Sequence, residues 1–341
     1  MYSKINGPHV WYADDLQKSN EWQFQLNQEE LREIDNALSC HGDVKNWSEI
    51  TPQNFPLPQT SQKLLDIQKY IENDSGLALL KGFPRKNYNT QQLKAIFWAM
   101  AQYVGTPISQ SADDEKIFSV RDAGFPTGHP KSRGPNTKNK LSFHTDRCDV
   151  ISFFCVEKAK SGGENLIVSS PAIHNEILEK HSHLLPILYD TFYNKRHNVD
   201  AGNSKPFCQL PIFSQHDGHF AANIMRVLIF RACEIPEVPD LSPLQKEALE
   251  ILEKIAHDPR MYIRFTQEPG DILFVNNFIT FHSRTEFEDH EALEKKRHLL
   301  RIWLAVPNSR ALSPLFTPNY GNTNAGAVRG GMKPHLYRPQ T

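Results

Sequence analysis

The sequence predicts a mainly β fold with flanking helices, and three observations carry that reading. From about Pro107 onward, short apolar runs are separated by Gly, Pro and Asn, the punctuation of many short strands. Before that point, apolar residues recur every three to four positions, the period of amphipathic helices. Charged residues make up 23% of the 341 positions and the formal net charge is -1. That length supports a large core, and that balance gives no electrostatic ground for binding nucleic acid or an anionic membrane.

In the first third, Leu26 to Leu38 reads as a helix, with Asn27 as N-cap and Glu30 three residues later closing a capping box. Thr60 to Ile71 is a second amphipathic helix. Thr90 to Tyr103 is a third, with Leu93, Ile96, Phe97 and Met100 along one side. Between the last two, Gly76 to Pro84 holds a short apolar run closed by Gly and Pro, a buried strand. In the rest of the chain the best strands are Val150–Val156, Asn165–Ser169, Tyr262–Phe265, Asp271–Val275 and Leu299–Val306. Helices interrupt them at Pro171–His181 and Ser242–Ile255. Such a set fits a sandwich, a jelly roll or a barrel. The stretch Arg121–Lys140, rich in Gly, Pro, Lys and Asn, reads as a mobile loop where a substrate lid could sit.

The five cysteines are scattered, with no CxxC pair, so neither a disulfide framework nor a zinc knuckle is expected. No apolar run approaches the length of a membrane span, and the first residues lack the apolar core of a signal peptide. The expected compartment is the cytoplasm.

The chemistry concentrates in Leu141-Ser142-Phe143-His144-Thr145-Asp146. On a strand, side chains two apart share a face, so His144 and Asp146 converge on one point. One imidazole and one carboxylate make half a metal site, and His282 in Phe281-His282-Ser283-Arg284 is the candidate third ligand. Two histidines and a carboxylate form the facial triad of non-haem Fe(II) oxygenases. Downstream, Arg297 and Arg301 open an apolar strand, where a guanidinium is expensive to bury unless an anion meets it. Spaced four apart on a strand, they share a face.

The joint order of His144-x-Asp146, Gly162-Gly163-Glu164-Asn165, Gly270-Asp271, His282 and Arg297-x-x-x-Arg301 resembles the TauD/TfdA family of Fe(II)- and 2-oxoglutarate-dependent dioxygenases. The resemblance runs from about Gly76 to Val306. It implies a double-stranded β-helix (a jelly roll, cupin-like) forming one domain over residues 1–341. Residues 1–106 would be a mostly helical part packed on the jelly-roll core of 107–306, followed by a tail at 307–341. It also implies that His144, Asp146 and His282 ligate iron, that Arg297 pairs with the distal carboxylate of 2-oxoglutarate, and that Arg301 meets an acidic group of the substrate. The family commonly has Thr after Gly-Gly-Asp/Glu, where its hydroxyl helps hold the cosubstrate. Asn165 stands there in this chain, and its amide can donate to a carboxylate.

The implied reaction uses Fe(II), 2-oxoglutarate and O2, releases succinate and CO2, and hydroxylates a small polar substrate such as an amino acid or a related acid. Related halogenases lack the carboxylate ligand, so Asp146 argues against halogenation. The same iron site could instead perform desaturation, epoxidation or cyclisation. A non-catalytic metal-binding jelly roll is the remaining alternative, with a closed coordination shell.

Other polar residues have plainer readings. His216-Asp217-Gly218-His219 suits a hairpin turn, and His181 with His183 a surface cap. Cys148 and Cys155 read as small buried hydrophobes, and His298 as a packing residue on the face opposite the arginines. Asn276 and Asn277 suit either substrate contact or turn geometry.

Overall fold

The computed structural model describes residues 2–41, 46–125, 134–197 and 200–334. Each helix expected in the first third is present: Gln28–Ser39 with the Asn27/Glu30 capping box, Thr60–Asn73, and Thr90–Val104. The last begins with a second capping box, between Asn89 and Gln92, that the sequence reading passed over. The expected later helices are Ser170–Lys180 and Pro243–Ala256.

Two sheets form the centre, and the fold is mainly β with helices outside. The larger runs in the order Gln23–Gln25, Leu77–Lys81, Ile272–Asn276, Val150–Glu157, His298–Ala305, Thr106–Ile108, with Phe118–Val120 also paired to His298–Ala305. The smaller is fully antiparallel, in the order Tyr262–Phe265, Asn165–Ser169, Thr280–Arg284, Leu141–His144. Two hairpins lie outside both sheets, Thr191–Lys195 with Phe207–Pro211 and Phe213–His216 with His219–Ala222. The second puts His216 opposite His219 around a tight Asp217-Gly218 turn, as the turn reading expects.

The two-residue period of the strands sorts the core into layers. Ala78, Leu80, Phe154, Phe274, Leu300 and Ile302 face outward onto the helices of the first third. Leu79, Ile151, Leu273, Val275 and Trp303 face inward and meet Ile167 and Ile263 of the smaller sheet. On the far side, Phe143, Leu166, Val168 and Phe281 pack against Ser170–Lys180 and Pro243–Ala256. The layers therefore run helix, sheet, sheet, helix, and the space between the sheets is where inward polar residues must find partners.

The tail crosses this space. Arg329 is buried against Asp149, with Nε donating to Oδ1 at 2.6 Å, and Met332 packs between the sheets. The tail therefore packs into this space at Arg329 and Met332. Among the described residues, no helix is long and apolar enough to cross a membrane. Of the loop Arg121–Lys140, residues 126–133 lie outside the described residues; the rest is anchored by Arg284, which donates to the carbonyls of Thr137 and Asn139.

Because Arg329 and Asp149 satisfy each other in the interior, Arg329→Met is expected to leave an uncompensated buried carboxylate. The expected loss of unfolding free energy is about 3–5 kcal/mol, read by urea denaturation; a loss under 1 kcal/mol would contradict it.

Candidate active site

The register of the smaller sheet assembles the site. His282 pairs with His144 on one neighbouring strand and with Ile167 on the other. Residues directly opposite on paired strands point the same way, and Ile167 faces inward, so both histidines do too. Asp146 follows the end of its strand, and its backbone is fixed rather than loose. Its N–H donates to Asn277 Oδ1 at 2.9 Å, and the N–H of Thr145 donates to the carbonyl of Ile224. Asn277 is therefore a positioning residue for Asp146, a role that neither turn geometry nor substrate contact suggested.

The candidate ligand atoms of His144, Asp146 and His282 all lie within 4.8 Å of one another. His282 Nε2 is 3.2 Å and His144 Nε2 3.9 Å from Asp146 Oδ2. His144 Nδ1 lies 2.8 Å from the carbonyl of Ser142, which fixes the ring and leaves Nε2 to face the cluster. Burial, reinforced by the charge of His282, pushes the His144 pKa down to about 4, so the ring is neutral and its lone pair available at pH 7. Burial alone would raise Asp146. The guanidinium of Arg301, with the adjacent imidazoles of His282 and His144, outweighs it and holds the carboxyl well below its usual range. Asp146 Oδ2 and both ring nitrogens of His282 are buried without a hydrogen-bond partner. Buried polar atoms are rarely left so. A cation at this point would satisfy the two carboxylate and imidazole donors that face each other.

The second part of the site is cationic. Arg284 and Arg297 are 5% and 4% exposed, and neither makes an ion pair among the described residues. Their guanidinium carbons lie 4.9 and 5.1 Å from the ring centre of Phe287. Arg284 Nε and Arg297 Nη1 are buried without partners. Burial pushes Arg297 down to about 10; burial, then the charge of Arg297, pushes Arg284 down to about 9. Both remain charged at neutral pH. Gly163, at φ +72°, keeps the space open, since a Cβ there would lie 3.1 Å from Arg297 Nε. Asn165 pairs in register with Arg284 and shares the inward face of Ile167, and its Nδ2 donates to Gln267 at 3.3 Å. With no ion pair of their own among the described residues, the two guanidiniums suit an anionic ligand.

Arg301 lies inward on the same strand as Trp303, with its guanidinium carbon 5.0 Å from the ring centres of both Phe118 and Trp303. Its Nε donates to Gln110 Oε1 at 2.7 Å, and Nη1 is 3.7 Å from Asp146 Oδ1. A cleft open to solvent reaches Asp146, lined also by Trp303, Met332 and Asn223.

The sequence reading therefore brings together His144, Asp146, His282 and, beside Asp146, Arg301; Arg297 and Asn165 lie on the pocket around Gly163. Arg284 and Gln110 were not expected at the site, and Asn277 was expected only for turn geometry or substrate contact. Arg284 carried a signal, being two residues from His282 and so on the same strand face. Cys148 and Cys155 are buried, with thiols pushed up by burial, as small core residues. His298 turns away from Arg297 and Arg301 and meets Ser119.

Arg297 has no counter-anion in the ligand-free chain, so replacing it should relieve strain on folding. Arg297→Met is expected to be neutral or to raise stability by about 1 kcal/mol. A fall of more than 1 kcal/mol in urea unfolding would mean that an internal partner holds the guanidinium.

Residues 43–303 match the family described as "Taurine catabolism dioxygenase TauD, TfdA family". The chain is 26% identical over 345 residues to FR-33289 synthase of Streptomyces rubellomurinus (strain ATCC 31215), covering 97% of both proteins. Among solved structures it resembles an asparagine oxygenase in complex with Fe(II), 2S,3S-3-hydroxyasparagine and succinate, with a TM-score of 0.61 at 14% identity, covering 83% of this chain and 93% of that one. The non-haem iron oxygenase OrfP in complex with Fe and alpha-ketoglutaric acid gives the same TM-score at 12% identity and the same coverage. With the family match spanning most of its length, the chain belongs to the TauD/TfdA dioxygenase family.

Proposed function

We propose that this protein is an Fe(II)- and 2-oxoglutarate-dependent oxygenase that hydroxylates a small polar substrate such as an amino acid or a related acid. The observation that carries the reading is the clustering of three metal-ligating side chains, two of them with buried unsatisfied atoms, on the same sheet face as a buried arginine without an ion pair of its own. His144, Asp146 and His282 would hold the metal, a donor set of two imidazoles and one carboxylate suited to Fe(II). Arg297, assisted by Arg284 and Asn165, holds the distal carboxylate of 2-oxoglutarate. When bound, iron and 2-oxoglutarate supply the oxygen-activating chemistry that couples release of succinate and CO2 to attack on a substrate C–H bond.

The remaining work belongs to the chain. Ser142 orients His144 through its carbonyl, and Asn277 fixes the backbone of Asp146. Arg301, held by Gln110, keeps Asp146 ionised and retains an Nη group for an acidic substrate. Trp303 and Met332 line the cleft beside Asp146 and keep its wall apolar. Asp146 as a carboxylate ligand favours hydroxylation over halogenation. The two facing sheets are read as a double-stranded β-helix within a single domain, in line with family membership and the fold of the solved oxygenases. Five cysteines without a disulfide are consistent with the cytoplasm.

Purified protein is expected to form succinate from 2-oxoglutarate only with Fe(II) and O2, with a product heavier by one oxygen; a product lighter by two hydrogens would mean desaturation. Chelation should abolish turnover, and His144→Ala should abolish both turnover and tight metal binding. Unchanged turnover in that variant would sink the proposal. Arg284→Gln and Arg297→Gln should each weaken 2-oxoglutarate binding to the metal-loaded protein by about tenfold or more, since each removes a charge-assisted contact. Metal affinity, measured in the same calorimetric series, should stay within about threefold.

A further inference from the structure

The open cleft has a second charged wall that the iron site and the cosubstrate pocket do not use. Arg147 and Arg196 both line it, and both hold Asp200. Arg147 Nη2 and Nη1 donate to Asp200 Oδ1 and Oδ2 at 2.8 and 2.9 Å, and Arg196 Nη1 lies 3.5 Å from Oδ2. The backbone N–H of Lys333 adds a fourth donor, to Oδ1 at 3.0 Å. Two guanidiniums thus share one carboxylate, and that carboxylate has no acceptor capacity left. The wall keeps one positive charge in excess.

The neighbouring amides add donors rather than acceptors. Asn319 Oδ1 accepts from Arg147 Nη1 at 2.8 Å. Because a guanidinium only donates, this fixes the amide orientation and leaves Asn319 Nδ2 without a partner among the described residues. Asn223 Oδ1 accepts from Tyr320 and Thr145, leaving its Nδ2 in the same state. Arg147 Nε and Arg196 Nε are buried and unpaired. Against these donors stand few unpaired side-chain acceptors among the described residues: Asn194 Oδ1, since the Nδ2 of Asn194 donates to the carbonyl of Phe192, and Asp146 Oδ2, which belongs to the metal cluster. A ligand that satisfies this wall must bring oxygen acceptors and negative charge.

We infer that this wall is the subsite for an oxyanion (carboxylate or phosphoryl) at the end of the substrate farthest from the iron, with Arg196 and Arg147 as its charge partners. The inference rests on the proposed oxygenase reading and names its substrate class: a small acid that carries an oxyanion in addition to the group beside Arg301. Asp200 acts as a positioning residue, holding both guanidiniums at the cleft and moderating their charge.

The test uses protein loaded with Fe(II) and saturated with 2-oxoglutarate under nitrogen, so that the Arg297 pocket is already filled. Equilibrium binding is measured by calorimetry for three matched pairs: L-aspartate and L-asparagine, L-glutamate and L-glutamine, O-phospho-L-serine and L-serine. At least one acidic member is expected to bind tenfold or more tightly than its neutral partner, and the pair that responds tells carboxylate from phosphoryl. In Arg196→Gln the preference should fall below threefold, and in Arg196→Lys it should largely return, with melting temperatures confirming that both variants fold. The inference is overturned by equal binding of acid and neutral partner, by a preference that survives Arg196→Gln, or by no binding of any acidic member. The 2-oxoglutarate titration that precedes each run keeps the two readings apart. Protein that takes up 2-oxoglutarate but shows no acid preference retains the iron site and loses this subsite.

Discussion

The pairing of His282 with His144 on one side and Ile167 on the other is the constraint on which the rest of the site depends. Strand side chains alternate, so a slip of one residue would send both histidines to the outer face and bring Phe143 and Phe281 inward. Those two phenylalanines are 1% or less exposed and packed among the outer helices. Each is held there by about 2–3 kcal/mol of apolar burial. The apolar layer behind the sheet therefore fixes the register, and the register fixes the ligands. The same alternation places Arg284 and Asn165 inward, so the metal-binding face and the anion-binding face are one surface at two heights.

The interior treats charge in two different ways. Asp149 with Arg329 and Glu72 with Arg310 are buried pairs whose oxygens and nitrogens meet each other, asparagine amides or backbone groups. Arg284, Arg297, Asp146 and His282 instead keep buried atoms without partners. A chain that pairs its other interior charges this closely has no structural use for leaving these open, because each one lowers stability. Unsatisfied charge of both signs gathered on one surface points to ligands that complete the structure there. The opposite signs divide that surface. The cluster of His144, Asp146 and His282 calls for a cation, and the pair of Arg284 and Arg297 calls for an anion.

Much of the β framework was legible because its strands are apolar on both faces, so Val150–Glu157 and Ile272–Asn276 stand out as continuous runs. The candidate metal ligands were legible because two of them sit in one short strand and turn. The His216–His219 hairpin was legible from its Asp217-Gly218 turn, whereas Thr191–Lys195 and Phe207–Pro211 were not, being five residues each with polar and apolar residues mixed. Asn277, Gln110 and Asp200 were illegible for another reason. Each acts on a residue 53 to 191 positions away in sequence, and no local pattern records such a contact. Arg301 shows the same limit from the other side. Its position in a strand announced a buried charge, but only the fold places that charge against Asp146, with Gln110 holding its Nε.

On the proposed reading two acids must be sorted, the cosubstrate and an acidic substrate, and the two cationic walls differ in the way that such sorting would require. Arg284 and Arg297 are enclosed, stacked on Phe287 and uncompensated, so an anion entering there meets two full charges in a medium that screens little. Arg147 and Arg196 line an open cleft and already share Asp200, which halves their net charge and leaves them partly screened by solvent. A compact diacid gains most at the enclosed wall. An acid too long or too branched for that pocket gains at the cleft instead. Asp200 thus contributes to selectivity by weakening the outer wall, since a bare pair of arginines there would compete for the cosubstrate that the inner pair is built to hold.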